Sequence, residues 1–254
     1  MIKQYWRWIL AALFLYLVLL VAYLPAAQVA YRLPLPNTVK LGKVSGTLWQ
    51  GHIDRVVVNN MPIQQINWTL SALPLFMGTL SVDLDAGNMR SANAIAFKGP
   101  LEVDLLSEGN LTASDFLLYL PVDLVLAEVQ LPLPVDAGGR FRVNVESLTL
   151  EAGICSQMMA YGDWLNASVA GTQGPIELGN FSATLRCDNK QYLISVAEPN
   201  AFGLTLDAQA ATDFSTFTAT SKFKPDPSLP QEVHDAAQFF GQPDSQGYIH
   251  YDIR

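Results

Sequence analysis

Two pairs of carboxylates have a spacing that could support acid and base chemistry. Asp83 and Asp85 lie two positions apart, as do Glu102 and Asp104, and paired carboxylates can act as general acid and general base. Each pair alternates with valine or leucine, which is the spacing of one face of a β-strand. The sequence therefore favours a solvated strand face at these positions, and it predicts no catalytic residues.

The histidines and the short motifs give no stronger indication of catalysis or metal binding. His52, His234 and His250 are far apart, and the chain contains no Gly-rich phosphate loop, no G-x-S-x-G, no H-E-x-x-H and no C-x-x-C. We therefore expect a protein that is not an enzyme, with no metal site and no cofactor.

Cys155 and Cys187 are the two cysteines of the chain. In an oxidising compartment such a pair favours a disulfide over two free thiols. A bond closing a loop of about 33 residues would stabilise the fold by about 3 to 4 kcal/mol on the chain-entropy model. The compartment itself has to be inferred from the amino end of the chain.

The amino end contains an apolar run long enough to cross a bilayer. Residues 8–31 carry no charge, and about 20 residues span a hydrocarbon core as a helix. Lys3 and Arg7 precede the run, so the N-terminus should stay in the cytoplasm and the remainder should be exported. A secretory signal peptide is the alternative, since residues 26–30 offer small side chains to a peptidase, but its apolar region is normally shorter.

The charge of the exported part indicates which class of partner the protein can bind. All 23 acidic residues follow Tyr31, whereas two of the 15 basic residues precede the apolar run. An acidic exported part argues against nucleic acid, which requires a basic surface. We expect protein partners, and contact with the membrane through the N-terminal helix.

After residue 31 the apolar residues alternate with polar ones in short segments bounded by Gly, Pro, Asn and Asp. This alternation predicts strands with one buried and one solvated face, as in an antiparallel sheet. The segments are those around residues 66–70, 80–84, 101–105, 141–145, 176–178, 183–185, 192–196 and 204–208. The predicted fold is mainly β, with one N-terminal transmembrane helix followed by a periplasmic, antiparallel and strongly curved β-sheet domain.

Helix signals are few in the predicted β domain. Residues 114–120 could form a helical turn before Pro121, and residues 231–240 predict a helix that begins after Pro230 and ends at Gly241. Residues 1–31 are assigned to the cytoplasmic tip and anchor, and 32–254 to one periplasmic domain. A Pro-rich stretch at 131–135 followed by Gly138 and Gly139 marks an internal boundary near 138, with one continuous sheet as the alternative.

A tryptophan and glycine motif is the most distinctive local pattern. Gly46 and Gly51 bracket a short predicted strand with an inward Trp49, and Trp68 on a neighbouring strand could pack against it. A packed pair of core residues explains this pattern without any binding role.

Seven short segments occur in a fixed order along the chain. They are V-S-G-T-L-W-Q-G at 44–51, W-T-L at 68–70, L-P-L at 73–75, G-G-R at 138–140, P-I-E-L-G at 175–179, L-R-C at 185–187 and F-G-Q-P-D-S-Q-G-Y at 240–248. With these segments the chain resembles type II secretion system protein N over nearly its full length, anchor included.

The resemblance implies a single-pass inner-membrane accessory subunit of the machine that exports folded proteins across the outer membrane of Gram-negative bacteria. It implies partners among the other inner-membrane subunits, including the connector to the outer-membrane secretin, and it carries over no catalytic residue. The tryptophan and glycine motif also resembles AsmA-like proteins, so the alternative function is a β-groove that binds or transfers lipid in the periplasm.

Overall fold

The computed structural model of the protein describes residues 2–32, 34–107, 110–127, 136–188, 190–212 and 215–253. Within these ranges one helix is long and apolar enough to cross a membrane. This helix, α1, spans Ile2–Ala22 and would be about 31 Å long at 1.5 Å per residue. Its leucine and aromatic side chains are exposed on every side, as expected of a helix whose surroundings are lipid.

A short helix, α2 (Ala26–Ala30), connects α1 to the sheet. Pro25 precedes it and cannot donate a backbone hydrogen bond, which separates α2 from α1. Ala26 is buried against the first strands of the sheet. The chain therefore enters the sheet directly from the end of α1.

In the ranges given above, fourteen strands form one sheet. Their bounds are β1 Val39–Leu41, β2 Val44–Gly46, β3 Gln50–Val58, β4 Met61–Ser71, β5 Thr79–Ala86, β6 Ala96–Asp104, β7 Leu111–Pro121, β8 Ala137–Glu151, β9 Ile154–Gly171, β10 Gly174–Asp188, β11 Gln191–Val196, β12 Thr205–Ala211, β13 Phe217–Phe223 and β14 Ile249–Ile253. Each strand from β3 onwards pairs with the next in antiparallel register, and β3 also pairs with β1 and β2.

The sheet is open, because in the described part of the chain its path ends on β1 and on β14 without a pairing between them. The short helices α3 (Ala72–Leu75), α4 (Val122–Leu126) and α5 (Gln231–Ala237) lie in turns between strands. The prediction of a mainly antiparallel β-sheet that follows one apolar helix is confirmed. The periplasmic location of the sheet stays a prediction.

Two helix predictions had opposite outcomes. Residues 231–240 do form a helix, α5, which continues as a 3₁₀ turn over Gln238–Phe240 and ends at Gly241. The helical turn expected at 114–120 is wrong, since these residues belong to β7. Pairing of β7 with both β6 and β8 overrides the weak local helix preference.

The sheet runs without interruption across residue 138. Residues 131–135 of the expected boundary lie outside the described residues, whereas Gly138 and Gly139 belong to β8. That strand pairs with β7 on one side and with β9 on the other. Strand pairing is therefore continuous across residue 138, and the division of the chain into domains stays a prediction.

Candidate binding surface

The strand register gathers the apolar side chains on one face of the sheet, called here the apolar face. Residues that are directly paired across neighbouring strands point to the same side, so the face can be followed from strand to strand through pairs such as Trp68 with Leu84 and Phe141 with Trp164. Its members on β2 to β12 are Val44, Ile53, Ile66, Trp68, Leu70, Leu80, Val82, Leu84, Phe97, Leu101, Val103, Phe116, Leu118, Leu120, Phe141, Val143, Val145, Trp164, Phe181, Leu185, Ile194, Val196 and Leu206.

The opposite face is polar and contains the carboxylate pairs of the sequence. Asp83 is exposed, Asp85 lies 3.5 Å from the Nζ of Lys98, and Glu102 accepts a hydrogen bond from Ser81. The side chains of Asp85 and Lys98 are both more than half exposed. Asp83, Asp85 and Glu102 are therefore solvated strand residues.

The two faces differ in exposure on β4 and β5. In the described part of the chain all strands belong to one sheet, and no helix after α1 exceeds seven residues. Yet Trp68, Leu70 and Leu84 are half-buried, whereas polar-face residues on the same strands, such as Thr69 and Asp83, are exposed. Neighbouring large side chains on the apolar face therefore shield one another from solvent more than the polar side chains on the opposite face do.

Bulges interrupt the regular pairing of two strands. Asp115 in β7 and Asn166 in β9 adopt positive φ angles of 49° and 49°, and the register of the neighbouring pairs shifts around them. An extra residue in one strand bends that strand and increases its twist. Both residues are polar and exposed, so the bulges place no polar group among the apolar side chains.

The apolar face is covered at its C-terminal end. Val233 of α5 forms a buried cluster with Ile176, Leu178 and Phe181 of β10 and with Ala167 of β9. The cluster is tied to the sheet by Glu232, whose Oε2 accepts a hydrogen bond of 2.9 Å from the backbone of Thr172. This part of the face is a conventional closed core.

A row of aromatic rings crosses the middle of the apolar face. Ring centroids lie 5.9 Å apart for Phe141 and Trp164, 5.5 Å for Trp164 and Phe181, and 5.9 Å for Phe181 and Phe202. Such spacings give attraction beyond simple area burial. The Trp164 indole also donates to the carbonyl of Gly138 at 2.9 Å, so its polar atom is satisfied.

Gly46, Trp49, Gly51 and Trp68 meet at the end of α1. The expected strand between the glycines is instead the turn from β2 to β3, and Trp49 lies in this turn. Its indole donates to the backbone carbonyl of Val21 at 2.9 Å, so it faces α1. A turn forms here because Gly46 has a φ of +88°, which a residue with a Cβ rarely adopts.

Gly51 makes room for the second tryptophan. The Trp68 ring lies across β3, and a Cβ at Gly51 would come within 2.0 Å of it. The Trp68 indole donates to the carbonyl of Leu48 at 3.0 Å. The motif therefore fixes one edge of the apolar face to the end of the apolar helix, a role that spacing in the sequence did not reveal.

A charged pair on the polar face joins β8 to β9. Arg142 donates from Nη2 to Oδ2 of Asp163 at 2.6 Å, and Ser182 donates to the other oxygen at 2.7 Å. Burial alone would raise the pKa of Asp163, but the hydrogen bonds from Ser182 and Arg142 outweigh it and hold this pKa below its ordinary value. The hydrogen bond between Arg142 and Asp163 also raises the pKa of Arg142.

Cys155 and Cys187 are joined in a disulfide, with their Cα atoms 6.2 Å apart. Cys155 is fully buried. The bond links the start of β9 to the end of β10, so it closes the covered part of the sheet at the end opposite α5.

Acidic, histidine and cysteine side chains do not gather into any metal-binding group of three within the described ranges. His52 lies 2.8 Å from Oδ1 of Asn67 and 3.1 Å from Asp54, and His250 lies 3.1 Å from Asp244. These two histidines thus belong to local surface contacts.

The fold and the surface define a class: an open antiparallel β-sheet protein with one apolar face, preceded by one helix long and apolar enough to span a membrane. The model of the family "Type II secretion system (T2SS), protein N" matches residues 37–251, and the chain belongs to this family.

Relatives named type II secretion system protein N agree with that membership. The protein from Vibrio cholerae is 28% identical over 232 residues, covering 89% of this chain and 88% of its own. The protein from Aeromonas hydrophila is 28% identical over 244 residues, covering 94% of each chain. That from Klebsiella pneumoniae is 24% identical over 243 residues, covering 95% of this chain and 91% of its own. No solved structure matches the chain.

Proposed function

We propose that this protein is an inner-membrane accessory subunit of the type II secretion system, acting as a structural and interaction protein rather than as an enzyme. The family match over residues 37–251 is the observation that carries the proposal. The names of the relatives describe a component of secretion machinery and mention no reaction. The solvated carboxylates described above are consistent with a subunit that works by binding.

Residues 1–31 are proposed as the cytoplasmic tip and membrane anchor, and residues 32–254 as one periplasmic β domain. Lys3 and Arg7 precede the uncharged run, which favours a cytoplasmic N-terminus. An alkaline phosphatase fusion after Arg254 should be active in cells. An active cytoplasmic reporter at that position, together with an inactive phosphatase, would reverse the topology.

Other inner-membrane subunits of the secretion system are the proposed partners, including the connector to the outer-membrane secretin. The outer edge of β14 offers a place for pairing, because in the described residues this strand pairs with β13 alone. An exposed edge presents backbone donors and acceptors to a strand of another chain.

Copurification tests the partners directly. Tagged full-length protein, cross-linked in envelopes and purified in detergent, should bring down secretion subunits. A tagged variant whose β14 edge is blocked by Tyr251→Pro, if it still folds, should bring down fewer subunits. Recovery of no secretion subunit with the wild-type protein would contradict the proposal.

A lipid-binding β-groove is the second candidate function, and one observation favours it. The apolar face of β3 to β8 is only half-buried, carries no charged member and has no covering layer in the described part of the chain. A face of this kind suits an acyl chain, which needs no hydrogen-bond partner.

A matched pair of variants on β5 separates the two candidates. Val82→Asp places a charge on the apolar face, whereas Ser81→Asp places one on the polar face of the same strand. A lipid groove predicts that lipid copurifying with the folded wild-type protein is lost in Val82→Asp and retained in Ser81→Asp. If no lipid copurifies with the wild-type protein, the groove function fails and the subunit function stands alone.

A further inference from the structure

Two neighbouring turns of the sheet carry large apolar side chains that are almost fully exposed. In the turn from β4 to β5, Leu73 is 81% exposed, Phe76 89% and Met77 81%, and in the turn from β6 to β7, Leu105 is 56% and Leu106 80% exposed. These five residues are called here the apolar rim. Exposed apolar clusters of this kind commonly mark contact with a partner or a membrane.

The two turns form one continuous surface. The backbone N–H of Leu105 donates to the carbonyl of Gly78 at 2.8 Å, and a Cβ at Gly78 would come within 2.5 Å of the Leu106 side chain. Asp104 fixes the second turn, since its Oδ1 accepts a hydrogen bond of 2.8 Å from the backbone of Leu106. The exposed side chains are therefore presented by ordered backbone.

The apolar rim lies at the edge of the sheet where α1 ends. The backbone of Leu48 donates to the carbonyl of Leu24 at 2.9 Å, and the indole of Trp49 reaches Val21. The backbone of Leu70 donates to the carbonyl of Trp49 at 2.7 Å. The turn from β4 to β5 thus begins beside the last residues of the apolar helix and extends beyond them.

Turns at the opposite edge of the sheet have a different composition. The turn from β3 to β4 consists of Asn59 and Asn60, and that from β9 to β10 of Thr172 and Gln173. Residues 87–93 in the turn from β5 to β6 are mostly polar. These three turns contain no highly exposed large apolar side chain, although Phe239, in the segment between β13 and β14, is 82% exposed, so the rim is distinguished by the number of such side chains rather than by their presence.

We propose that the apolar rim inserts into the outer layer of the same lipid bilayer that holds α1. The inference rests on the membrane anchor proposed above. Continuity with α1 identifies the occupant, because the rim begins at the level where that helix leaves the hydrocarbon. Aromatic, leucine and methionine side chains gain free energy on moving from water to the acyl boundary, and the rim residues include no charge to oppose it.

Insertion at a second point would orient the sheet. A single helix lets an attached domain rotate, whereas α1 together with the rim holds the strands upright on the membrane. The edge of the apolar face beside α1 would then lie next to the bilayer.

Depth-dependent quenching tests the proposal with the full-length protein in phosphatidylcholine vesicles. Single cysteines labelled with an environment-sensitive fluorophore are introduced as Tyr16→Cys in α1, Phe76→Cys in the rim and Gln173→Cys at the opposite edge. The native cysteines are joined in a disulfide and are not labelled. Replacing part of the lipid by nitroxide-labelled phosphatidylcholine should remove most of the fluorescence at residues 16 and 76 and leave residue 173 unchanged.

The other outcomes each have a distinct meaning. Quenching at residue 16 with none at residue 76 would overturn rim insertion while leaving the membrane anchor intact. Absence of quenching at both positions would overturn the anchor as well. A blue-shifted but unquenched label at residue 76 would show burial against protein, such as a second copy, and would also overturn the proposal.

Discussion

The two halves of the apolar face have similar residues but different surroundings. On β10, Leu178 is 2% and Phe181 7% exposed beneath Val233 of α5. On β4 and β5, Trp68 and Leu84 remain half-buried, with no layer over them in the described ranges. The comparison suggests two different roles. The half from β9 to β14 stabilises the fold, and the half from β3 to β8 provides a surface for binding.

Truncation of one large side chain in each half should show the largest difference. Phe181→Ala removes a buried ring that also stacks on Trp164, and we expect a loss of about 3 to 5 kcal/mol in the free energy of unfolding. Leu84→Ala removes a half-buried side chain and should cost less than about 2 kcal/mol. Denaturant unfolding in detergent, followed by near-UV circular dichroism, measures both. Equal losses would contradict the difference between the two halves.

Loss of the disulfide should affect the covered half selectively. With both Cys155→Ser and Cys187→Ser, the chain-entropy model predicts a loss of about 3 to 4 kcal/mol for a loop of this length. Hydrogen exchange should accelerate in β9 and β10, which the bond joins, and stay unchanged in β3 to β5. Uniform acceleration over the whole sheet would show that the two halves unfold as one unit.

Substitutions in the tryptophan and glycine motif can perturb the uncovered half of the apolar face where it contacts α1. Gly51→Ala introduces a Cβ within 2.0 Å of the Trp68 ring, so the ring must move, and overpacking of this kind costs about 1 to 3 kcal/mol. Ser45→Ala on the adjacent strand, where the side chain is exposed, is the control. We expect a changed tryptophan emission in the glycine variant alone. Identical spectra and stability for both variants would argue against a fixed Trp68.

The charged pair between the two halves should give the smallest effect, and it should depend on pH. The pKa of Asp163 in the folded protein lies below its ordinary value of 3.8, so its contribution is complete above that value and is lost as the pH falls through the lower, folded value. Because Asp163 and Arg142 are both partly exposed, the contribution should stay near 1 kcal/mol or less. Asp163→Asn should be less stable than wild type at pH 7, and this difference should shrink at acidic pH. A constant difference would refute the assignment.

The general architecture could be predicted from the sequence because its signals are local. Alternation in segments such as Leu80 to Leu84 is a property of one strand, and the uncharged run of α1 is a property of one helix. The helix that begins after Pro230 has its own start and stop residues. These predictions required no knowledge of which strands are neighbours.

Features that depend on pairing could not be predicted in the same way. The 18 residues of β9 were not recognised as a strand, because small residues such as Ala160 and Gly162 weaken the alternation. Residues 114–120 looked helical until pairing with two neighbours placed Phe116 and Leu118 on the apolar face. The strand register decides which side chains lie on the same face of the sheet, and it cannot be read from any single segment of the sequence.

Part of the apolar rim is visible in the sequence, but these residues were not interpreted as an exposed surface. Leu73 and Leu75 contributed only to the resemblance, although leucine, phenylalanine and methionine are uncommon in a turn that faces water. Apolar residues in turns at one edge of a sheet, beside a membrane helix, are a signal that could be sought in related sequences.

Secretion by a strain that lacks this protein tests the central proposal most directly. The account predicts that exoproteins accumulate in the periplasm of the deletion strain and are released again when the wild-type gene is restored. Complementation with Asp83→Asn should also restore release, since this carboxylate lies on the solvated face. Normal secretion by the deletion strain, with an altered lipid composition of the outer membrane, would contradict the subunit function and favour the lipid-binding alternative.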